Sequence, residues 1–180
     1  MKHPEFKIEK IKLISLYDCN PKELIIYFKK NKKHLEESMP LRDSSFYEEK
    51  YWNEQIRKYT ESFKNGESLR FVLKDKDRVI GIITFDQIIY GVFRSCYLGY
   101  SLDEEYQGKG IMTRSLQSSI NYTINELRLN RIMANYIPQN YRSGKLLRKL
   151  GFEREGYARK YLMLNGEWKD HILTSFINDL

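Results

Sequence analysis

The hydrophobic periodicity of this chain changes at Asn65-Gly66, and this change limits its fold more than any other feature. Between residues 20 and 64, apolar residues recur at the spacing of an amphipathic helix. From Leu69 onward they alternate with polar residues or form short continuous runs, which is typical of strands. No repeat or Pro/Gly-rich linker divides the sequence, so we expect one mixed domain over residues 1–180.

The first half of the chain is predicted to contain one strand and two helices. The strand lies near residues 6–16, although its alternation slips midway. The first helix begins at Asn20-Pro21, an N-cap followed by proline in the first helical position. The second begins near Ser44-Ser45, where Glu48 completes a capping box, and ends at Asn65-Gly66.

The second half contains the remaining strands and two more helices. A helix follows Lys109, and another runs from Asn140 to Leu150 and ends at Gly151, the usual left-handed residue after a helix. Asn165-Gly166, a strong hairpin signal, joins the last two strands. The other strands are predicted at residues 69–73, 79–89, 94–102 and 131–137. The order β-α-α-β-β-β-α-β-α-β-β predicts a mixed α/β (α+β) fold and not an alternating doubly wound array.

Composition excludes several classes of protein. A chain of 180 residues that is 41% hydrophobic can bury a full core without disulfides or a metal. The longest apolar run, residues 79–85, is far shorter than the ~20 residues that a membrane-spanning helix needs. Cys19 and Cys96 show no zinc spacing, so we expect no metal and a reducing cytoplasm. The net charge of +7 favours an anionic partner, such as nucleic acid, the ribosome or a phosphate-bearing cofactor, but identifies none.

A glycine-rich turn, Gln107-Gly108-Lys109-Gly110-Ile111-Met112, lies between a predicted strand and a predicted helix. Glycines there permit positive φ and close approach of a ligand. The free amides and the positive dipole end of the helix attract an anion such as pyrophosphate. The turn matches neither the dinucleotide nor the P-loop fingerprint. On local sequence alone, an ordinary strand-to-helix turn is an equally good interpretation.

Gln107-x-x-Gly110 resembles the pyrophosphate-binding signature of the GNAT superfamily of N-acetyltransferases, although Met112 stands where that signature has Gly or Ala. The order of elements is also similar to that of the superfamily. A second block resembles its segment after the cofactor helix: Asn140-x-x-Ser143, Leu146-Leu147 and Leu150-Gly151-Phe152. Three segments resemble the ribosomal-protein-alanine N-acetyltransferase (RimJ/RimL-type) branch: Tyr97–Tyr100, Arg131–Asn135 and Trp168–His171.

The resemblance implies a GNAT-like fold, in which a mostly antiparallel mixed sheet of about seven strands contains a splayed parallel pair and is flanked by about four helices. It also implies direct transfer of an acetyl group from acetyl-CoA to an amine within a ternary complex. The expected acceptor is the N-terminal α-amine of a ribosomal or other protein. Two alternatives stay open: a polyamine or aminoglycoside acceptor, and a non-catalytic module that associates with the ribosome or RNA through its basic surface.

The same resemblance implies how the cofactor is held. Backbone amides from Gly108 to Met112 should bind the pyrophosphate, and the backbone near Tyr100 and Leu102 should pair with the pantetheine arm. The predicted cofactor-binding residues are Tyr100, Leu102, Gln107, Gly108, Lys109, Gly110, Ile111, Met112, Asn140 and Ser143.

Ser143 is the predicted general acid for the leaving thiolate. Many relatives carry a tyrosine seven residues after the asparagine, and here that residue is Leu147, which cannot donate a proton. Ser143 could instead only cap its helix. Asn140 could cap the helix, contact the pantetheine, or do both.

The general base is less constrained by the sequence. Many relatives have a glutamate on the strand before the glycine turn, where this chain has Tyr97, a poor base at neutral pH. Asp86 is the candidate base, with an ordinary polar strand end as the alternative. His171 is more simply interpreted as a buried structural residue.

Overall fold

A single sheet runs through the computed structural model, which describes residues 3–178. Within these residues the sheet has eight strands: β1 (Phe6–Ile8), β2 (Ile11–Ser15), β3 (Leu69–Asp75), β4 (Arg78–Ile89), β5 (Ser95–Leu102), β6 (Arg131–Met133), β7 (Glu153–Leu164) and β8 (Glu167–Ile177). The same residues form five α-helices: α1 (Pro21–Lys30), α2 (Lys32–Leu35), α3 (Glu49–Lys64), α4 (Ile111–Asn125) and α5 (Tyr141–Lys149).

The strand order is β1-β2-β3-β4-β5-β6-β8-β7, and every neighbouring pair is antiparallel except β5 and β6. This parallel pair is joined only from Ser95 and Arg131 to Tyr97 and Met133. Beyond Tyr97, β5 continues to Leu102 without pairing to β6. The predicted splayed parallel pair is confirmed, and it leaves the backbone of β5 open on one side.

The strand count differs from the sequence-based prediction because the opening strand is two strands. β1 and β2 pair antiparallel, and a turn at Glu9-Lys10 joins them. Glu9 has a φ of 54°, in the left-handed region, so the chain reverses there. The slip in the hydrophobic alternation marks this turn. The helix count is also higher than predicted, because α2 adds one short turn after α1.

The strand predicted over residues 131–137 is shorter than expected. After Met133 the chain stays beside β8: Ala134 N–H donates to the carbonyl of Thr174, and Tyr136 forms an isolated bridge with Ile172. It therefore leaves β5 while still following β8. This divergence opens the space between β5 and the segment after β6.

The capping box predicted at Ser45 and Glu48 is wrong. Residues 44–47 form a 3₁₀ turn, and Asp43 Oδ1 caps it by accepting from Phe46 N–H. Helix α3 then begins at Glu49, and its N-cap residue Glu48 makes no side-chain cap bond. The predicted cap of α1 at Asn20 is confirmed, and Asn140 caps α5, which was one of the roles left open for it.

Helices cover both faces of the sheet. On one face, α4 buries Leu116 and Ile120 against the central strands, as its apolar stripe predicted. On the other face, α1 and α3 pack through an aromatic cluster in which Phe28 stacks on Trp52 with ring centroids 5.2 Å apart. Trp52 is 4% exposed, and its Nε1–H donates to the carbonyl of Phe46 at 2.8 Å.

The predicted hairpin at Asn165-Gly166 is confirmed, with φ of 46° and 78° at its two turn residues. Its tip reaches the loop that follows α2, where Asn165 N–H donates to the carbonyl of Met39 at 2.9 Å. The hairpin and this loop together bound one side of the sheet. Among the described residues, no helix is long and apolar enough to cross a membrane.

Candidate active site

The glycine turn places unbonded amides at the start of α4. Gly108 and Gly110 have φ of 72° and 70°, a conformation that favours glycine. Gly110 is the N-cap of α4, and no side chain caps the helix there. The first-turn amides, beginning at Ile111, therefore have no acceptor within the helix, and the positive end of the helix dipole adds to their field.

A cleft of about 890 Å³ opens in front of these amides; we call it the donor cleft. It is bounded by the glycine turn, the end of β5 and the start of α5. Nine of the ten predicted cofactor-binding residues line it: Tyr100, Leu102, Gln107, Gly108, Gly110, Ile111, Met112, Asn140 and Ser143. Lys109 does not line it, and its ammonium donates to the carbonyl of Glu105 at 2.7 Å.

Gln107 holds two walls of the donor cleft together. Its amide Nε2 lies 2.7 Å from His34 Nε2, and Arg142 Nη1 donates to its Oε1 at 2.6 Å. The bridge thus links α2 to α5 across the glycine turn. The glutamine of the predicted signature therefore shapes the cleft, while backbone amides face the space where an anion would lie.

A second cleft of about 390 Å³ lies across β5; we call it the acceptor cleft. Five aromatic side chains from α1, α3 and the chain between them form part of its wall: Phe28, Phe46, Tyr51, Trp52 and Tyr59. The two clefts share six lining residues: Ser38, Tyr100, Ser101, Ile137, Asn140 and Ser143. A donor and an acceptor entering from opposite sides therefore meet at β5 and α5.

Tyr100 and Ser143 form a hydroxyl pair at this junction, with their oxygens 2.5 Å apart. The helix cap is supplied by Asn140, whose Oδ1 accepts from Ser143 N–H at 3.0 Å. Ser143 Oγ is thus directed to Tyr100 and not to the helix amides. The alternative in which Ser143 acts only as the cap does not fit this geometry, because Asn140 has that role.

The pair is held in a protonated state at neutral pH. Burial raises the pKa of the Tyr100 phenol to about 12, while its hydrogen bond to Ser143 acts in the opposite direction. Since a buried phenol with this pKa keeps its proton, Tyr100 can serve as a hydrogen-bond donor. Ser143 then accepts from Tyr100 and has its own proton to donate.

Asp86 lies in β4, but the structure does not place it among the residues that line either cleft. Its carboxylate pairs with Arg70, with Nη2 and Oδ1 2.5 Å apart. Arg70 does line the acceptor cleft, and its guanidinium lies 3.8 Å from the centre of the Tyr59 ring. Asp86 is therefore connected to the cleft through Arg70, and its role as a proton acceptor stays a prediction.

His171 lines the acceptor cleft, although it is 3% exposed. Its Nδ1 lies 3.0 Å from the carbonyl of Lys169, which fixes the ring and places the proton on Nδ1. Burial lowers the pKa of the imidazole, so the neutral form is favoured. The structural interpretation of His171 is consistent with this bonding.

The residues present fit acetyl-CoA. The amides at the start of α4 suit a pyrophosphate, and Arg142 and Lys145 also line the donor cleft. The open side of β5 offers main-chain groups at Tyr100 and Leu102 to an extended arm with amide groups. Among residues 3–178, no group of three or more His, Cys, Asp or Glu is arranged to hold a metal ion.

A family model described as an acetyltransferase (GNAT) domain matches residues 29–153. The chain belongs to the GNAT family. It is 40% identical over 162 residues to the [ribosomal protein uS5]-alanine N-acetyltransferase of Escherichia coli (strain K12). The aligned region covers 89% of this chain and 84% of that protein. This GNAT chain is an N-acetyltransferase, and acetyl-CoA is its acetyl donor.

Solved structures agree with the GNAT assignment. The crystal structure of ribosomal-protein-S5-alanine acetyltransferase from Vibrio fischeri superposes with a TM-score of 0.94, at 38% identity over 98% of this chain and 97% of that one. Mycobacterium smegmatis RimJ in complex with CoA-disulfide gives a TM-score of 0.83, at 25% identity over 94% and 82% of the two chains.

Sequence reasoning missed three contributors to this site. Tyr100 was expected to act through its backbone, but its hydroxyl bonds to Ser143. His34 and Arg142 were not expected to position Gln107. Arg142 could have been suspected from its place between Asn140 and Ser143, whereas His34 is distant in sequence and no local pattern marks it.

Proposed function

We propose that this GNAT enzyme acetylates the N-terminal α-amine of a ribosomal protein in the cytoplasm. Its 40% identity to a [ribosomal protein uS5]-alanine N-acetyltransferase supports this acceptor. The observation that carries the proposal is the junction of the two clefts at Tyr100 and Ser143. A donor thioester and an acceptor amine can approach each other there from opposite sides. Holding the two reactants together in this way promotes direct transfer of the acetyl group.

The donor cleft holds acetyl-CoA, which supplies the acetyl group as a thioester. Backbone amides from Gly108 to Met112 bind its pyrophosphate, with the dipole of α4 adding to the attraction. Arg142 lines the same cleft and holds the side chain of Gln107 through a hydrogen bond. The unpaired side of β5 from Tyr100 to Leu102 pairs with the pantetheine amides.

Ser143 stabilises the departing thiolate by donating its hydroxyl proton in a hydrogen bond. Tyr100 can orient that hydroxyl by donating its own proton to Ser143 Oγ, since the phenol stays protonated and the two oxygens lie 2.5 Å apart. Formation of the amide releases one proton from the acceptor amine, and the free thiol takes up one proton. Ser143 can pass a proton to sulfur and regain one from the amine through the junction, so the exchange balances.

An α-amine suits this site better than a lysine side chain. Its ordinary pKa is about 8, compared with about 10.4 for lysine, so a larger fraction is neutral at pH 7. The aromatic walls at Phe28, Phe46 and Trp52 disfavour a charged amine further by desolvation. The acceptor can therefore reach its nucleophilic form without a strong base nearby.

The polyamine and aminoglycoside alternatives fit less well. Such acceptors carry several positive charges and would need carboxylates in the cleft. Within the described part of the chain, the acceptor cleft is lined by Arg42 and Arg70 and by no aspartate or glutamate. The net charge of +7 also disfavours the binding of polycationic acceptors.

A direct acceptor screen tests the proposal. The purified enzyme is incubated with acetyl-CoA and with synthetic N-terminal peptides of ribosomal proteins, spermidine or kanamycin, and the products are measured by mass spectrometry. We expect acetylation at the α-amine of alanine-initiated peptides, and no reaction when that amine is blocked. Faster turnover of spermidine or kanamycin than of every peptide would contradict the proposed function.

A further inference from the structure

The charged side chains that line the acceptor cleft are all positive. Of the side chains that line it, Arg42 and Arg70 carry full charge, and His171 is buried with a lowered pKa that favours its neutral form. No carboxylate of residues 3–178 lines the cleft. A cleft that must accept a neutral amine does not need this charge, so the charge indicates a second feature of the acceptor.

Arg70 does not supply the uncompensated positive charge of the cleft. Its guanidinium is paired with Asp86 at 2.5 Å and lies against the ring of Tyr59, so its charge is compensated within the protein. It also sits deep, with a side chain that is 19% exposed. Arg70 therefore forms part of the wall.

Arg42 is different because it has no ion-pair partner within 4.0 Å among residues 3–178. The nearest acid in sequence, Asp43, is already used: its carboxylate bonds to Ser45 Oγ at 2.6 Å and to Phe46 N–H at 3.3 Å. These two bonds cap the 3₁₀ turn and are the main causes that lower the pKa of Asp43, and the nearby charge of Arg42 contributes less. An exposed, unpaired guanidinium thus remains at the edge of the cleft.

The guanidinium of Arg42 packs on an aromatic ring, and the loop before it is anchored to a neighbouring hairpin. Its guanidinium lies 4.7 Å from the centre of the Phe46 ring, and the preceding loop is tied to the β7–β8 hairpin by the bond between Asn165 and Met39. A planar guanidinium held in this way can bind a carboxylate through two parallel hydrogen bonds. The apolar wall beside it strengthens such a pair relative to one in open water.

We propose that Arg42 forms a carboxylate-binding subsite of the acceptor cleft, so that the preferred acceptor peptide has Glu or Asp among the residues that follow its N-terminal one. This inference rests on the proposed N-terminal acetylation. It assigns Arg42 to acceptor binding and not to chemistry. The effect should therefore appear in KM and kcat/KM, with kcat at saturating peptide unchanged.

Matched peptides provide the test. Each is a hexapeptide that begins with alanine and carries one glutamate at position 2, 3, 4 or 5, with serine and glycine at the remaining positions. Each has two counterparts, in which glutamine or lysine replaces the glutamate. Steady-state rates are measured with the wild-type enzyme, Arg42→Gln, Arg42→Lys and the control Arg57→Gln. Arg57 is an exposed residue of α3 that lines neither cleft, so its substitution removes the same charge elsewhere.

We expect glutamate to raise kcat/KM over glutamine by at least about fivefold at one or two positions, with lysine the poorest. The preference should disappear in Arg42→Gln, persist in part in Arg42→Lys and be unchanged in Arg57→Gln. Equal rates for glutamate and glutamine at every position, or a preference that survives Arg42→Gln, would overturn the subsite while leaving N-terminal acetylation intact. Failure to acetylate any peptide despite normal acetyl-CoA binding would overturn both proposals.

Discussion

The phenolic oxygen of Tyr100 lies 2.5 Å from Ser143 Oγ, and the pair joins β5 to α5 at the point where the two clefts meet. Two different features of the sequence bring these hydroxyls together. β5 continues past the end of its pairing with β6, which carries Tyr100 into the opening. Asn140 caps α5 and thereby fixes the first turn of the helix that presents Ser143.

Replacement of Ser143 by alanine tests its role in proton donation. Loss of one general acid typically costs 10²–10⁴-fold in the chemical step, so we expect kcat to fall at least about tenfold. The affinity for acetyl-CoA and the melting temperature should change little, because Asn140 and not Ser143 Oγ caps the helix. Steady-state kinetics, calorimetry and thermal melts check these expectations. A normal kcat would show that solvent protonates the leaving thiolate.

The Tyr100→Phe variant should behave as part of the same unit. We expect it to lower kcat less than Ser143→Ala does, because phenylalanine keeps the ring and removes only the bond that orients Ser143. The double variant should be no worse than Ser143→Ala alone, since the two hydroxyls act through one hydrogen bond. Additive losses in the double-mutant cycle would contradict coupling between the two residues.

Asn140→Ala should separate helix capping from chemistry. Loss of the bond from Ser143 N–H to Asn140 Oδ1 should cost about 1 kcal/mol of stability, which corresponds to a fall of about 2–4 °C in Tm for a domain of this size. Thermal unfolding followed by circular dichroism measures the change. Ser143→Ala is the comparison, and a larger loss of stability in that variant would reverse the assignment of the cap.

The pH dependence of kcat/KM should have one rising limb. The α-amine of the acceptor must be neutral, so the rate should increase through an apparent pKa near 8. The pKa of Tyr100 is raised to about 12, so the hydroxyl pair keeps its protons and the rate should not fall below about pH 10. Rates with an alanine-initiated peptide between pH 6 and pH 10 measure the profile. A descending limb below pH 9 would assign the donor to a more acidic group.

The general arrangement of the fold could be predicted from the sequence because its signals are local. The cap at Asn20, the glycine turn and the Asn165-Gly166 hairpin each depend on a few neighbouring residues, and each is present in the structure. Ser44-Ser45 misled the prediction because Asp43, one residue earlier, is a better cap for a 3₁₀ turn. The early end of β6 was not predictable, because it depends on non-local pairing: after Met133 the chain stays hydrogen-bonded to β8 and separates from β5.

Individual site residues could be located from local motifs, but the contacts between distant side chains could not. The glycine turn could be located because glycine is required for its conformation, whereas Tyr100 and Ser143 meet through a contact 43 residues apart. The pairing of Asp86 with Arg70 likewise depends on the register between β3 and β4. Sequence alone offered Asp86 as a candidate base or a polar strand end, and the structure pairs its carboxylate with Arg70.

Gly110 provides the sharpest test of the cofactor site. Its φ of 70° orients the amides at the start of α4. An added Cβ would lie 2.7 Å from Arg114 Nη1, so Arg114 must move, and aspartate would also add a negative charge at the amides proposed to bind phosphate. We expect Gly110→Asp to abolish acetyl-CoA binding measured by calorimetry. Gly110→Asn has nearly the same shape without the charge, so it should bind weakly but measurably.

Gly91→Asp controls for the conformation itself. Gly91 has a φ of 73° and lies at the β4–β5 turn, with no atom within 4 Å of an added Cβ, so this variant introduces the same side chain at a similar φ away from the donor cleft. It should bind acetyl-CoA normally. If folded Gly110→Asp also bound acetyl-CoA with unchanged affinity, the pyrophosphate could not lie against Gly108 to Met112, and the cofactor would have to enter the cleft by another route.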